Sequence, residues 1–393
     1  MTTPPLRRWQ IDALTKWIAR RRGVASVVTG AGKTRLALAC VAEQRKSSPD
    51  MQVLVIVPTL ALLDQWLSVF HADPVFEREQ VATHSDGKLG PTTAPYNLAT
   101  ANTARTATKA LSSRGSWMLV ADECHRYASP ANRAAIDAPW GASLGLSATP
   151  SRDYDTWFEE YVEPVIGPVF YEYGYDEAIH DGVLVPFRLS NFRVPLTSRE
   201  EERYASLTRR IAALISGRDG ASDEALKRAT LARAKLAQDA RARVPAACAI
   251  MERHRGERAL LFHEQVAAAE DITRRLTVAG HRAVIYHSSM TPSTRLKSLL
   301  MFRTGQADIL VSCRALDEGL DVPDATFGLI CSSTASTRQR IQRLGRLLRP
   351  SPGKASAEIG TIYATGAERE RLGDEERQLD GLASVSWHEV LFS

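Results

Sequence analysis

A chain of 393 residues is long enough for two globular domains with an insert between them, and 44% hydrophobic and 24% charged residues are ordinary for a protein with sizeable cores. The formal net charge of +5 is a small excess, which favours a local basic groove for an anionic partner over a uniformly basic surface. The five cysteines are widely spaced and form no Cys-x-x-Cys pair, which argues against a zinc ribbon and against a disulfide framework.

Membrane and secretory proteins are disfavoured by the pattern of apolar residues. The N-terminus lacks the charged start and apolar stretch of a signal peptide. No run of about 18 apolar residues, the length needed to span a bilayer, occurs in the sequence. We therefore expect a cytoplasmic protein without a membrane partner.

The first part of the chain alternates short apolar segments with helical patterns, which is typical of a parallel α/β domain. The predicted strands are residues 25–29, 52–57, 117–121 and 143–147, and predicted helices 33–42 and 60–70 lie between them.

The middle of the chain has a different character. Residues 153–187 are rich in Tyr, Phe and Trp, whereas residues 199–258 are rich in Ala, Arg and Glu with helical periodicity. Residues 227–243 carry six basic side chains against one acid, namely Lys227, Arg228, Arg233, Lys235, Arg241 and Arg243 against Asp239. We favour a solvated helix face for this run, with a nucleic-acid-facing helix as the alternative.

The last part of the chain returns to the α/β pattern. Its predicted strands are residues 259–263, 283–286, 308–312, 327–331 and 358–363, and its predicted helices include 265–279 and 292–304. The apolar tail at residues 385–392 is expected to pack on this second domain, with docking on a partner protein as the alternative.

A glycine-rich loop follows the first predicted strand and precedes a helix, as a phosphate-binding loop requires. It reads Thr29-Gly30-Ala31-Gly32-Lys33-Thr34. Small residues let backbone N–H groups wrap phosphates at a helix N-terminus. Lys33 would neutralise the β and γ phosphates, and the Thr34 hydroxyl would hold Mg²⁺. The strict pattern has glycine where this chain has Val27, a departure that leaves the core of the motif intact.

Two acids end the apolar segment at residues 117–121. Asp122 and Glu123 stand at the carboxyl end of a predicted buried strand, where parallel sheets place metal and water chemistry. Asp122 would contact Mg²⁺, and Glu123 would polarise the attacking water as a general base. The alternative is a turn cluster after a core strand, and the phosphate loop about ninety residues upstream disfavours it.

Further segments of the first domain complete a family pattern. They are Leu6-Arg7-Arg8-Trp9-Gln10, Pro58-Thr59 after the second predicted strand, Ala99-Thr100-Ala101-Asn102, Asp122-Glu123-Cys124-His125 and Ser147-Ala148-Thr149. With these, the chain resembles superfamily 2 helicases of the DExH group, and above all XPB-like and type III restriction-type cores. The resemblance implies that Gln10 binds the adenine base and that Pro58, Thr59 and Thr100 contact nucleic acid.

The second domain carries the rest of the pattern. Tyr286-His287-Ser288 and Arg295 are similar to a strand-contact element, so His287 and Arg295 would bind nucleic acid. Residues 315–323, which include Gly319 and Asp321, are similar to motif V and would contact the nucleotide. Residues 342–349 fit the motif VI pattern Q-R-x-G-R-x-x-R, so Gln342 would lie near the nucleotide, and Arg346 and Arg349 would act in catalysis as arginine fingers.

The resemblance implies two tandem RecA-like P-loop domains of α/β class with parallel sheets and a helical insert between them. The expected division is residues 1–180 for the ATP-binding domain, 181–255 for linker and insert, 256–380 for the helicase C-terminal domain and 381–393 for the tail.

The implied function is a nucleic-acid-dependent ATPase that uses ATP and Mg²⁺. We expect it to translocate on or unwind DNA, in repair or in defence against foreign DNA, with protein partners such as a separate nuclease. The alternatives are an ATP-controlled clamp or switch subunit without processive unwinding, and an RNA helicase.

Overall fold

The chain folds into two compact units, Met1–Val183 and Leu184–Ser393. The structure is a computed structural model that describes residues 5–76, 79–85, 87, 93–112, 116–148, 156–216, 223–313, 324–332, 347–379 and 381–390. Within these residues, no helix is both long enough and apolar enough to cross a membrane.

The first unit is built on a sheet of seven described strands in the order β3-β4-β2-β5-β6-β1-β7, and all the pairs are parallel. The strands are β1 Val24–Val27, β2 Gln52–Val57, β3 Val81–His84, β4 Tyr96–Thr100, β5 Trp117–Asp122, β6 Ala142–Ser147 and β7 Val169–Tyr173. The helices are α1 Arg8–Arg20, α2 Lys33–Ser47, α3 Leu60–Ala72, α4 Ala101–Ser112, α5 Glu163–Ile166 and α6 Tyr175–His180. Short turns of 3-10 helix span Cys124–Ala128 and Arg133–Ala135, and a π-helical turn spans Phe158–Val162.

Burial along the strands explains this order. Every residue of β5 and β6 is buried, as a strand covered on both faces requires, and these two strands lie in the middle of the sheet. The edge strands β3 and β7 are only partly buried. Because all the strands run in the same direction, the residues that follow β1, β2 and β5 lie along one edge, where ligands of parallel sheets bind.

The second unit repeats this architecture with the order β10-β11-β9-β12-β13-β8-β14, again with only parallel pairs. Its strands are β8 Phe187–Arg193, β9 Ala259–His263, β10 Ala283–His287, β11 Ile309–Cys313, β12 Phe327–Ile330, β13 Ala357–Tyr363 and β14 Ser384–Glu389. Its described helices are α7 Ser198–Ile215, α8 Asp223–Gln238, α9 Arg243–Arg253, α10 Val266–Val278, α11 Pro292–Arg303 and α12 Gly366–Gln378. The predicted parallel α/β architecture is therefore confirmed for both parts of the chain.

The tail belongs to the second sheet. β14 pairs with β8 along its whole length. Trp387 anchors it, because its indole N–H donates to Glu376 Oε2 at 3.2 Å and Arg369 lies over its ring. The prediction that the tail packs on its own domain is confirmed.

The predicted insert contains two helices that pack against each other, α7 and α8. A Thr197 cap begins α7, with the Thr197 hydroxyl accepting the N–H of Glu200. Most of the basic run, which lies largely on α8, is exposed, as a solvated face predicts, at Lys227, Arg228, Lys235 and Arg241. Arg243 is the exception, because it is fully buried.

The Arg243 guanidinium joins four parts of the second unit. It donates to the carbonyl oxygens of Ala237 at 2.8 Å, Cys331 at 3.0 Å and Ile362 at 2.5 Å, and to Glu368 Oε1 at 2.5 Å. Glu368 also caps the N-terminus of α12. Because every charge here has a partner, this buried ion pair fixes α9 and α12 to the carboxyl ends of β12 and β13.

Candidate active site

The phosphate loop joins β1 to α2. Gly30 and Gly32 have φ angles of 91° and 105°, which only glycine adopts without strain, so the loop conformation depends on both. A Cβ on Gly32 would also lie 3.0 Å from Gln10 Nε2. Val27, where the strict motif has glycine, is a buried residue of β1 without a positive φ. A side chain is therefore tolerated at that position.

Lys33 and Thr34 open α2, where the first backbone N–H groups of the helix have no carbonyl partners within it. Lys33 is buried, and its Nζ donates to the carbonyl of Val27 at 3.1 Å, which holds the ammonium under the loop. The Thr29 hydroxyl is buried and has no hydrogen-bond partner among the described residues. A cation, a helix N-terminus and an unpartnered hydroxyl fit a phosphate chain.

The Asp122 carboxylate ends β5 and is held at both oxygens. Its Oδ1 accepts the backbone N–H of Glu123 at 3.0 Å, and its Oδ2 accepts the indole N–H of Trp66 at 2.9 Å. Burial and the neighbouring Glu123 carboxylate raise the pKa of Asp122, while the Trp66 hydrogen bond and the charge of Lys33 act against that rise. This orientation leaves lone pairs on both oxygens for a cation.

Glu123 adopts a strained backbone conformation. Its φ is 49° and its ψ is 50°, a left-handed geometry that non-glycine residues avoid. Its Oε2 atom is buried and makes no hydrogen bond with the described residues, and it lies 3.5 Å from His125 Nδ1. The same His125 nitrogen lies 2.9 Å from the Ser147 hydroxyl. The acidic motif therefore contacts the end of β6, whereas Thr149 of the same predicted motif is outside the described residues.

Gln10 lies against the phosphate loop. It is buried, its Oε1 accepts the backbone N–H of Arg7 at 2.9 Å, and its Nε2 donates to the Gly32 carbonyl at 3.0 Å. The Arg7 side chain donates to the Ala31 carbonyl at 3.2 Å. One N–H of the Gln10 amide remains for the predicted contact with a base.

A pocket of about 600 Å³ lies between α1, the end of β7 and α6, and the sequence did not predict it. Trp9 lines it and stacks on Tyr173, with ring centroids 4.9 Å apart. The Tyr173 carbonyl accepts the N–H of Val28 in the phosphate loop. Tyr171 adds another aromatic ring to the lining. Four carboxylates also line the pocket, those of Asp12, Asp176, Glu177 and Asp181.

The residues predicted to bind nucleic acid in the first unit differ in exposure. Pro58 and Thr59 are partly exposed after β2, and the Thr59 hydroxyl caps α3 by accepting the N–H of Leu62. Thr100 is only 5% exposed, and its hydroxyl shares a hydrogen bond of 3.1 Å with Thr103.

In the second unit, His287 ends β10, where it is buried and lies 3.5 Å from Glu270 Oε1. Arg295 and Arg349 are partly exposed. The remaining predicted site residues of this unit lie outside the described residues, namely Gly319, Asp321, Gln342 and Arg346.

Two family models match the chain. Residues 3–152 match the type III restriction enzyme res subunit, and residues 242–351 match the helicase conserved C-terminal domain. The chain is 28% identical over 395 residues to the DNA 3'-5' translocase XPB2 of Sulfurisphaera tokodaii. This match covers 95% of this chain and 84% of that protein. Four further curated relatives with names of Rad25 or XPB helicases are 24–29% identical, and the chain spans 52–60% of their length.

Solved structures agree on the fold. The type ISP restriction-modification enzyme LlaBIII bound to DNA matches with a TM-score of 0.69 and 15% identity, over 100% of this chain and 32% of that one. S. cerevisiae Dbp5 bound to RNA and ADP BeF3 matches with a TM-score of 0.64 and 15% identity, over 97% of this chain and 89% of that one. The two units are therefore tandem RecA-like domains.

Proposed function

We propose that the chain, an ATP-hydrolysing superfamily 2 helicase core close to XPB-like and type III restriction-type proteins, is a DNA-dependent ATPase that translocates on or unwinds DNA. The observation that carries the proposal is that Lys33 and the Asp122–Glu123 pair lie at one edge of one sheet, close enough for the charge of Lys33 to act on the pKa of Asp122. A motor of this kind couples phosphoryl chemistry to movement of its domains.

The residues of the first unit divide the chemistry among them. Lys33 would neutralise charge on the transferring γ-phosphoryl group, and the N-terminus of α2 would hold the phosphates. Glu123 Oε2, buried without a hydrogen-bond partner among the described residues, has lone pairs available to orient and deprotonate a water. Mg²⁺ would supply further charge neutralisation, and Thr34 and Asp122 would hold it.

We further propose that the base of ATP binds beside Gln10, in the pocket walled by Trp9 and Tyr173. Aromatic walls suit a purine ring, and carboxylates accept the exocyclic N–H groups that adenine offers. Guanine also offers N–H donors, so inhibition of ATP hydrolysis by added GTP measures whether the pocket distinguishes the two bases.

The second unit would complete the active site in this proposal. Arg346 and Arg349 would stabilise the transition state as arginine fingers, with Gln342, Gly319 and Asp321 near the nucleotide. Hydrolysis would then require the two units to close on one ATP, which ties the nucleotide state to the spacing between them.

DNA is the favoured polymer. The XPB2 relative is named a DNA translocase, and the exposed basic residues of α8 suit a phosphate backbone. The contacts predicted for Pro58, Thr59, Thr100, His287 and Arg295 belong to this proposal. The core would act in repair or in defence against foreign DNA, in the cytoplasm, with a separate protein such as a nuclease supplying any cleavage.

Steady-state ATPase rates without nucleic acid, and with single-stranded DNA, duplex DNA or RNA, test the proposal. We expect strong stimulation by DNA that weakens as salt rises, since the contacts are mainly to phosphates. Equal rates under all four conditions, or stimulation by RNA alone, would overturn the assignment. Strand displacement and translocation assays beside the ATPase assay then separate a motor from a clamp that hydrolyses ATP without moving.

A further inference from the structure

Trp66 connects the acidic motif to the helix that begins at the predicted DNA contact. It lies on α3, is 1% exposed, and its indole N–H donates to Asp122 Oδ2 at 2.9 Å. The two residues are 56 positions apart in sequence, so only the fold brings them together.

Helix α3 is well suited to transmit a displacement. It begins after Pro58 and Thr59, and Trp66 lies about 10 Å further along the helix axis at the usual rise per residue. An aromatic cluster of Trp66, Phe70, Phe76 and Tyr96 fixes the buried face of α3, with centroid distances of 5.1–6.2 Å between neighbouring rings. The start of α3 and the indole of Trp66 therefore belong to one packed helix, through which a contact at Pro58 and Thr59 would act on Asp122.

Trp66 also determines the direction of the Asp122 carboxylate. The other oxygen of Asp122 is bound by the backbone of its neighbour Glu123, which belongs to the same strand end. Trp66 is thus the side-chain donor from another element that orients the carboxylate predicted to hold a cation.

We propose that Trp66 is a positioning residue that couples DNA contact at Pro58 and Thr59 to the orientation of Asp122. The inference rests on the proposed DNA-dependent ATPase function and adds a route for the stimulation. DNA bound at the start of α3 would keep the indole hydrogen-bonded to Asp122, and Asp122 would then be oriented to hold Mg²⁺.

The test compares Trp66→Phe with Trp17→Phe. Trp17 is a matched control because it is also buried in the first unit and also makes one indole hydrogen bond, to the Ser143 carbonyl at 3.0 Å. For each protein we measure the ATPase rate as a function of Mg²⁺ concentration, with and without single-stranded DNA, together with thermal unfolding.

Trp66→Phe should raise the Mg²⁺ concentration for half-maximal activity and lower the fold-stimulation by DNA, each by about tenfold, as loss of an outer-shell partner does. Trp17→Phe should change both by less than about twofold, whatever its effect on unfolding, because its hydrogen bond is remote from the carboxylate. Equal values for the two variants would overturn the inference. If the wild type itself shows no stimulation by DNA, the proposed function fails instead, and the Mg²⁺ dependence still tests the Trp66–Asp122 link.

Should Trp66→Phe unfold, 3-benzothienylalanine at position 66 replaces it. This residue keeps the bicyclic shape and lacks only the N–H donor, so the aromatic cluster stays filled. The same tenfold effects support the coupling, and wild-type values for both readouts refute it.

Discussion

The two units share one architecture, but the described groups at the carboxyl ends of β5 and β13 differ in how fully they are hydrogen-bonded. In the first unit, the carboxyl edge of the sheet holds groups without hydrogen-bond partners among the described residues, such as the Thr29 hydroxyl and Glu123 Oε2, together with a carboxylate whose pKa is raised by burial. In the second unit, the Arg243–Glu368 ion pair is surrounded by hydrogen bonds at the same edge. Groups left without partners are costly and indicate a site for ligands, whereas a fully satisfied network indicates a structural role.

Substitutions at the carboxyl edge of the first unit's sheet should therefore abolish ATP hydrolysis while preserving the fold. Lys33→Ala and Glu123→Gln should each reduce ATP hydrolysis to background, and Glu123→Gln should retain ATP binding because the phosphate loop is untouched. Steady-state ATPase assays and nucleotide-binding titrations measure the two properties. Lys46→Ala, at the exposed end of α2, is the control and should keep wild-type activity. Wild-type turnover in either site variant would contradict the assignment of this edge.

In the second unit, the residues predicted to take part in ATP hydrolysis belong to motif VI, residues 342–349. Arg346→Ala should slow ATP hydrolysis by about 10³-fold if Arg346 acts as an arginine finger, with little change in ATP affinity. Arg303→Ala, at the exposed end of α11, is the matched control in the same unit. An Arg346 variant with a rate within a few fold of that control would remove the finger role.

Changes to the Arg243–Glu368 network of the second unit should lower the stability of the fold. Arg243→Met leaves the Glu368 carboxylate without its charge partner, which should lower the free energy of unfolding by about 3–5 kcal/mol. Arg193→Met breaks the exposed pair with Glu389 and should cost at most about 1 kcal/mol. Urea unfolding measures both. Equal losses in the two variants would show that the buried network is not what holds this edge.

A smaller effect is expected from pH at the same edge. Burial, and then the positive charge of Arg243, lower the pKa of His263 to about 4, and His263 Nδ1 accepts the N–H of Gln265, which requires that nitrogen to be unprotonated. An unfolded histidine has a pKa near 6.5. Between these values the unfolded state takes up a proton that the folded state refuses, so stability falls as pH decreases from about 6.5, by up to roughly 3 kcal/mol near pH 4.

Urea unfolding across this pH range checks the prediction. His263→Asn should flatten the pH dependence, whereas His71→Asn, on the exposed face of α3, should leave it unchanged. If the free energy of unfolding of His263→Asn depends on pH as the wild type's does, a group other than His263 causes the loss of stability at low pH.

The sequence predicted the strands whose own residues form an apolar run. The strands β2, β5 and β9, in which every residue but Gln52 is buried, were found because they are nearly continuous apolar segments. The edge strands β3 and β7 were missed because they are short and half exposed, so their residues form no apolar run.

Strand pairs and side-chain contacts between residues far apart in the chain were not predicted from the sequence. β8 was missed because its partners come much later in the chain. Arg243 was counted among surface charges because nothing in its neighbourhood in the sequence shows that Glu368 will meet it. For the same reason, motif spacing predicted the phosphate loop and the acidic pair, whereas the contact of Trp66 with Asp122 became visible only in the fold.

The position of β8 affects how the chain is made. Phe187 lies beside Ala357 in the sheet, about 170 residues later, so a ribosome adding about 5–20 residues per second needs roughly 10–30 s to supply the neighbour of β8. The sheet of the first unit uses only strands between Val24 and Tyr173, and it can form during that interval. During this interval the nascent chain can therefore carry a folded first domain together with an unpaired strand whose Phe187, Leu189 and Phe192 have not yet met their packing partners.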